Sequence, residues 1–120
     1  MLIADDHPIY TELLLRLLAR HEWIEVVGCA ANGRDAVVLA NAASPDVILL
    51  DLEMPIMDGI EALRRIREHS SVTVLVLTAS ATPGDRERAL AAGALAVLPK
   101  ATDPAELVGH LQNVLLDRAA

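Results

Sequence analysis

The polar residues that follow directly on apolar runs of this chain could do chemistry together. The adjacent pair Asp5 and Asp6 follows Leu2–Ala4, Asp51 follows Val47–Leu50, Thr78 follows Val72–Leu77, and Lys100 stands one proline beyond Ala94–Leu98. If those runs are neighbouring strands, three carboxylates, a hydroxyl and an ammonium share one edge. Carboxylates that close repel one another and raise one pKa unless a cation sits among them. A hard divalent ion answers that need. Mg²⁺ takes oxygen ligands, keeps several waters and is commonly held by one or two carboxylates plus a phosphate oxygen, so the pattern points to phosphoryl chemistry. Each residue also has a plain structural reading. Asp6 or His7 can cap a helix led by Pro8, Thr78 can be a satisfied strand terminus, and Lys100 a solvated loop charge. Independent caps have no reason to place acid, acid, hydroxyl and base at four strand ends, and the joint occurrence favours a site.

The elements that must position these residues alternate in type. Short apolar runs rich in β-branched residues, Leu2–Ala4, Ile24–Ala30, Val47–Leu50, Val72–Leu77 and Ala94–Leu98, read as strands covered on both faces. Between them, Ile9–Arg20, Gly33–Ala43, Gly59–His69, Gly84–Ala92 and Asp103–Arg118 carry apolar residues at helical spacing, as in Ile9, Leu13, Leu17 and in Leu107, Leu111, Val114. Pro8 and Pro104 suit first helical turns, and Gly93 suits a helix C-terminus. Asn32-Gly33 is a strong hairpin cue, but the Ala-rich, non-alternating stretch after it favours an Asn32-capped helix. Five βα units predict an α/β fold, a doubly wound five-stranded parallel sheet with right-handed crossovers and helices on both faces. Such sheets bind ligands at the carboxyl ends of their strands.

Composition sets the remaining bounds. The chain has 120 residues, enough for one domain and one core, with 53% hydrophobic and 22% charged residues. Its net charge of −7 has the wrong sign for gripping nucleic acid or anionic lipid directly. Aromatics make up 2%, with no Phe, so stacking platforms for bases are lacking. The lone Cys29 forbids an internal disulfide framework, which fits a cytoplasmic location. No apolar window is long enough for a membrane helix, and Met1–Ala4 followed by two acids is not a signal peptide. The first strand is short for a central one, so a start further upstream is expected.

Five pieces of the sequence carry a resemblance: Ile3-Ala4-Asp5-Asp6-His7-Pro8, the string Asp51-Leu52-Glu53-Met54-Pro55-Ile56-Met57-Asp58-Gly59, Thr78-Ala79, Gly93-Ala94 and Lys100. Over essentially its whole length, residues 1–120, the chain resembles the receiver domain of two-component response regulators. The separations of 45, 27 and 22 positions along Asp6, Asp51, Thr78 and Lys100 are similar to that family's. Ala31–Ala36 and the segment from Lys100 to Leu107 resemble the NarL/LuxR-type class. The resemblance implies a CheY-like (flavodoxin-like) sheet of order 2-1-3-4-5. It implies that Asp51 accepts a phosphoryl group from a sensor histidine kinase, with Mg²⁺ held by Asp5, Asp6, Asp51 and the backbone carbonyl of Glu53. Lys100 and Thr78 would contact the phosphoryl oxygens, and Glu53 and Ser80 occupy places that resemble those tuning its hydrolysis. It further implies a homodimer or partner-docking face on the fourth helix, fifth strand and fifth helix. A C-terminal helix-turn-helix output domain, through which DNA is bound and transcription regulated, is expected in the parent protein and is not in this chain.

Two positions depart from that pattern. Val97 stands where the family usually has Tyr or Phe, which puts the aromatic switch in doubt, and Pro99 precedes Lys100, which puts the reach of the lysine in doubt. A proline at the end of an edge strand is tolerated. Cys29 reads as a buried, inert thiol, and Trp23 as a packing residue at the end of the sheet away from the site. Of His7, His21, His69 and His110, only His7 adjoins the site, none has metal-ligand spacing, and none is expected to be catalytic. Two competing readings are a receiver-like interaction module acting without phosphorylation, and a Mg²⁺-dependent phosphatase using Asp51, for which Glu53 is a weak second acid.

Overall fold

A computed structural model of the chain describes residues 1–79 and 81–116. Five strands and five helices alternate: β1 (Leu2–Ala4), α1 (Pro8–Leu18), β2 (Gly28–Ala30), α2 (Gly33–Ala43), β3 (Val47–Leu50), α3 (Gly59–His69), β4 (Thr73–Thr78), α4 (Pro83–Ala91), β5 (Ala96–Pro99) and α5 (Pro104–Leu115). The strands form one parallel sheet of order β2-β1-β3-β4-β5. This is the doubly wound sheet expected from the alternation.

Strand geometry sends successive side chains to opposite faces, and the two cores follow that parity. Leu2, Ala4, Ile48, Leu50, Val74 and Val76 pack with Ala36 and Ala40 of α2, Leu63 and Ile66 of α3, and Ala89 of α4. Met1, Ile3, Val47, Leu49, Leu75 and Leu77 pack with Leu14 and Leu18 of α1 and Leu107, Leu111 and Val114 of α5. The buried stripe of α5 is the expected one. In α1 it is Leu14 and Leu18, whereas Ile9 and Leu13 of the expected stripe are 77% and 59% exposed.

Capping explains the helix starts. Asn32 Oδ1 accepts the Asp35 N–H at 2.8 Å, Asp58 caps α3 through the Glu61 N–H, Thr82 caps α4 through the Asp85 N–H, and Asp103 Oδ1 accepts the Ala105 N–H. Gly93, just past α4, has φ of +111°, and a side chain there would meet Arg67.

The second strand corrects the sequence reading. Strand pairing covers Gly28–Ala30 rather than the whole run Ile24–Ala30, because the ladder with β1 begins at Leu2. Upstream of it the chain is held by single bonds, from the Met1 amino group to Glu25 O and from the Val27 N–H to Met1 O. β2 is also an edge, so Cys29 is exposed and not buried as expected. Its thiol is nonetheless pushed above its ordinary pKa by partial desolvation, so it remains a poor nucleophile. Trp23 is partly buried against the α1/α5 core, in keeping with a packing role. The expected fifth helix ran to Arg118. Residues 117 and 118, like Ser80, lie outside the described residues. Among the described residues no helix is long and apolar enough to cross a membrane.

Candidate functional site

Parallel register brings the ends of β1, β3, β4 and β5 to one edge. The Asp51 N–H donates to Ala4 O, which sets Asp51 beside Asp5, and the Lys100 N–H donates to Thr78 O, which sets the lysine just beyond the end of β4. Asp5, Asp51 and Thr78 are 6%, 2% and 0% exposed, unusual values for groups that prefer water. Asp6 is half-buried.

Lys100 ties the cluster together. Its Nζ lies 2.8 Å from Asp5 Oδ2 and 3.1 Å from Asp51 Oδ2, and it stands 4.7 Å from the ring centroid of Tyr10. The reach of the lysine therefore survives Pro99, which ends β5 as an exposed edge residue. Burial opposes the ammonium charge, but the bonds to Asp5 and Asp51 outweigh it and hold the Lys100 pKa above its ordinary value. Burial pushes the Asp51 carboxyl up. The hydrogen bond from Lys100 opposes this, the Asp5 charge adds to it, and the Glu53 N–H, 3.3 Å from Asp51 Oδ1, opposes it again.

The loop after β3 shapes the other wall. Gly59 is packed against the Asp51 carbonyl and Leu52 Cα, leaving no room for a side chain. Ile56 takes φ of +70° at the centre of a tight turn closed by the Met57 N–H on Pro55 O at 2.7 Å, a costly conformation for a β-branched residue. A groove of about 650 Å³ opens here, lined in part by Asp6, His7, Glu53 and Met54. The Glu53 side chain is exposed along it.

All five acid, hydroxyl and base positions expected from sequence lie on this edge. The Thr78 hydroxyl is fully buried and has no hydrogen-bond partner, an expensive state unless something else arrives to bond it. Asp6 Oδ1 is likewise without a hydrogen bond although His7 Nδ1 stands 3.1 Å away. Asp5, Asp6, His7 and Asp51 each offer a ligand atom, all within 4.8 Å of one another. Converging anionic oxygens with an orphaned atom suit a hard divalent cation. The sequence placed His7 next to the site without a part in it, and the structure sets its ring among the carboxylates. Tyr10, the ring beneath Lys100, carried no sequence signal of its own.

Residues 1–112 match the family model for the response regulator receiver domain. The chain belongs to that family. It is 41% identical over 107 residues to a protein-glutamate methylesterase/protein-glutamine glutaminase of Anaeromyxobacter dehalogenans, covering 89% of this chain and 31% of that protein. It is 40% identical over 109 residues to the uncharacterized transcriptional regulatory protein YhcZ of Bacillus subtilis, covering 90% of this chain and 51% of that protein. The chain thus spans about a third to a half of the length of these relatives. Among solved structures it resembles the receiver domain of the putative response regulator NarL from Mycobacterium tuberculosis, with a TM-score of 0.88, 34% identity, and 93% and 91% of the two chains covered. The receiver is similar to NarL/LuxR-type members, as its sequence pieces implied, and Val97 is an aliphatic receiver residue buried against the α2/α3/α4 face.

Proposed function

We propose that Asp51 accepts a phosphoryl group from a phosphohistidine of a sensor histidine kinase. A carboxylate oxygen of Asp51 attacks phosphorus, the P–N bond breaks, and the electron pair returns to the departing imidazole, leaving an acyl phosphate. Asp5, Asp6, Asp51 and the Glu53 carbonyl would hold Mg²⁺. Bound there, the ion neutralises charge that develops on the phosphoryl oxygens. The remaining work falls to the chain itself. Lys100 supplies a fixed positive charge between Asp5 and Asp51, and Thr78 supplies the unbonded buried hydroxyl that donates to a phosphoryl oxygen once it is in place. The observation that carries this reading is Asp51 itself: a carboxylate 2% exposed, at a strand end, flanked by a second buried acid and an ammonium 3.1 Å away.

The readout is proposed at coarser grain. A new dianion beside Thr78 pulls on the loop to α4, and the exposed Leu90 of α4 and Leu95 before β5 offer a face for a homodimer along α4, β5 and α5. Val97 carries no aromatic ring to rotate, so the link to this face runs through repacking of its aliphatic side chain in the α2/α3/α4 core. Transcriptional output through a C-terminal helix-turn-helix in the parent protein fits the NarL/LuxR likeness, and a cytoplasmic setting fits a partner kinase. An enzymatic output domain is the other arrangement, supported by the methylesterase relative.

The test is intact-protein mass spectrometry after incubation with Mg²⁺ and acetyl phosphate. A gain of one phosphoryl group, absent from Asp51→Asn, is expected. No gain in a folded, Mg²⁺-saturated sample overturns the reading and favours a module that binds partners without phosphate.

A further inference from the structure

Lys100 is the only lysine among the ten lysines and arginines of the chain. Its Nζ stands 2.8 Å from Asp5 Oδ2, 3.1 Å from Asp51 Oδ2 and 3.1 Å from His7 Nδ1. None of these three is a constant partner. Asp5 and Asp51 are the carboxylates that the proposed cation engages, and Asp51 also gives an oxygen to phosphorus. His7 Nδ1 is shared with Asp5 Oδ1, 3.0 Å away. A lysine side chain is long, flexible and ends in a strongly hydrated ammonium, so it returns to water when its anions are taken unless something else holds it. Tyr10 is the support that the reaction leaves untouched. It lies in the first turn of α1, packs against the α1/α5 core and puts its ring under Nζ, 4.7 Å from the centroid. The hollow around this contact, about 320 Å³, is walled by Ile9, Leu13 and Ala79 as well as by Tyr10, His7 and Lys100. Apolar walls weaken the screening of a cation held on a ring face.

We propose that Tyr10 is a positioning residue for phosphoryl transfer: its ring face keeps the Lys100 ammonium at the acid cleft while Asp5 and Asp51 turn from that ammonium to the incoming cation and phosphoryl group. This rests on the phosphoryl reading of the site. The role belongs to the face of the ring and not to the hydroxyl, because the aromatic quadrupole is what attracts the cation. A phenylalanine therefore serves, whereas a leucine fills the space and offers no such field.

The experiment uses wild type, Tyr10→Phe and Tyr10→Leu labelled with ¹³C-lysine, with circular dichroism to check folding. A single lysine gives a single ε-methylene signal, which a ring 4.7 Å from Nζ displaces upfield. That displacement is expected in wild type and Tyr10→Phe, with and without Mg²⁺, and is lost in Tyr10→Leu. The wild-type spectrum stands as a test even if Tyr10→Leu does not fold. With Mg²⁺ and acetyl phosphate, Tyr10→Leu is expected to phosphorylate roughly five- to thirtyfold more slowly than wild type, and Tyr10→Phe to restore most of the rate. A wild-type signal without the displacement, or one that loses it when Mg²⁺ is added, would overturn the proposal. So would a Tyr10→Leu rate equal to wild type, or a Tyr10→Phe rate as low as that of Tyr10→Leu. Equal rates in proteins that do react remove this inference alone, whereas a wild type that gains no phosphoryl group removes the phosphoryl reading and the positioning role with it.

Discussion

Asp51 is held ready at a cost to the fold. Its carboxyl has a higher pKa in the folded chain than in the unfolded one, chiefly through burial, so its ionisation opposes folding. The group contributes stability below its unfolded pKa and loses it as the pH rises through its folded pKa. Asp51→Asn is therefore expected to raise the melting temperature at neutral pH without Mg²⁺, by an amount that shrinks in acid where the wild-type carboxyl is protonated. Added Mg²⁺ should stabilise the wild type more than the variant. Thermal unfolding across pH, with and without Mg²⁺, checks both. Asp5, Asp6, Asp51, Thr78 and Lys100 were legible in the sequence because each ends a strand, and parallel register alone brings strand ends together. His7 was not. Its place depends on where a ring turns after the backbone has been fixed, and its sequence context equally fits a helix cap. Cys29 was misread for a related reason: an apolar run does not say that its strand will be an edge.

At the scale of elements, α4 is the least buried helix of the α2/α3/α4 layer. Ala89 is its one buried residue, against four in α3. Two arginine side chains tie α4 and the turn after it to their neighbours. Arg86 Nη1 donates to Val97 O of β5 at 3.0 Å, and Arg67 Nη2 reaches from α3 to Gly93 O at 2.9 Å. Hydrogen bonds of this kind contribute about 1 kcal/mol each. Arg86→Ala is expected to speed amide hydrogen exchange in α4 and β5 by several-fold while leaving α2 and α3 unchanged, a comparison that exchange mass spectrometry makes directly. Uniform acceleration across the chain would show that α4 is not an independent unit. The helices themselves were readable from caps and periods, as at Asn32, where the hairpin cue gave way. The orientation of α1 was not, since its leucine-rich stretch offers several apolar stripes and only packing against Ile3, Leu49 and Leu75 selects Leu14 and Leu18.

For the whole molecule, two apolar cores fix the sheet while its polar edge stays free to do chemistry. The same sheet carries exposed leucines on and after α4, and the dimer proposed there gives a prediction about size. Phosphorylated wild type is expected to elute as a larger species than the unmodified protein. Leu95→Glu, changed at a residue 61% exposed, should still accept the phosphoryl group and elute as a monomer. Light scattering coupled to size exclusion reads both. The most direct test of the account asks where the phosphoryl group goes. Borohydride reduces an acyl phosphate to the alcohol, so protein treated with Mg²⁺ and acetyl phosphate, reduced and digested, should yield homoserine at position 51 and nowhere else. Homoserine at Asp5 or Asp6, 2-amino-5-hydroxypentanoate at Glu53, or no reduced residue at all in protein that has gained a phosphoryl group, would contradict it.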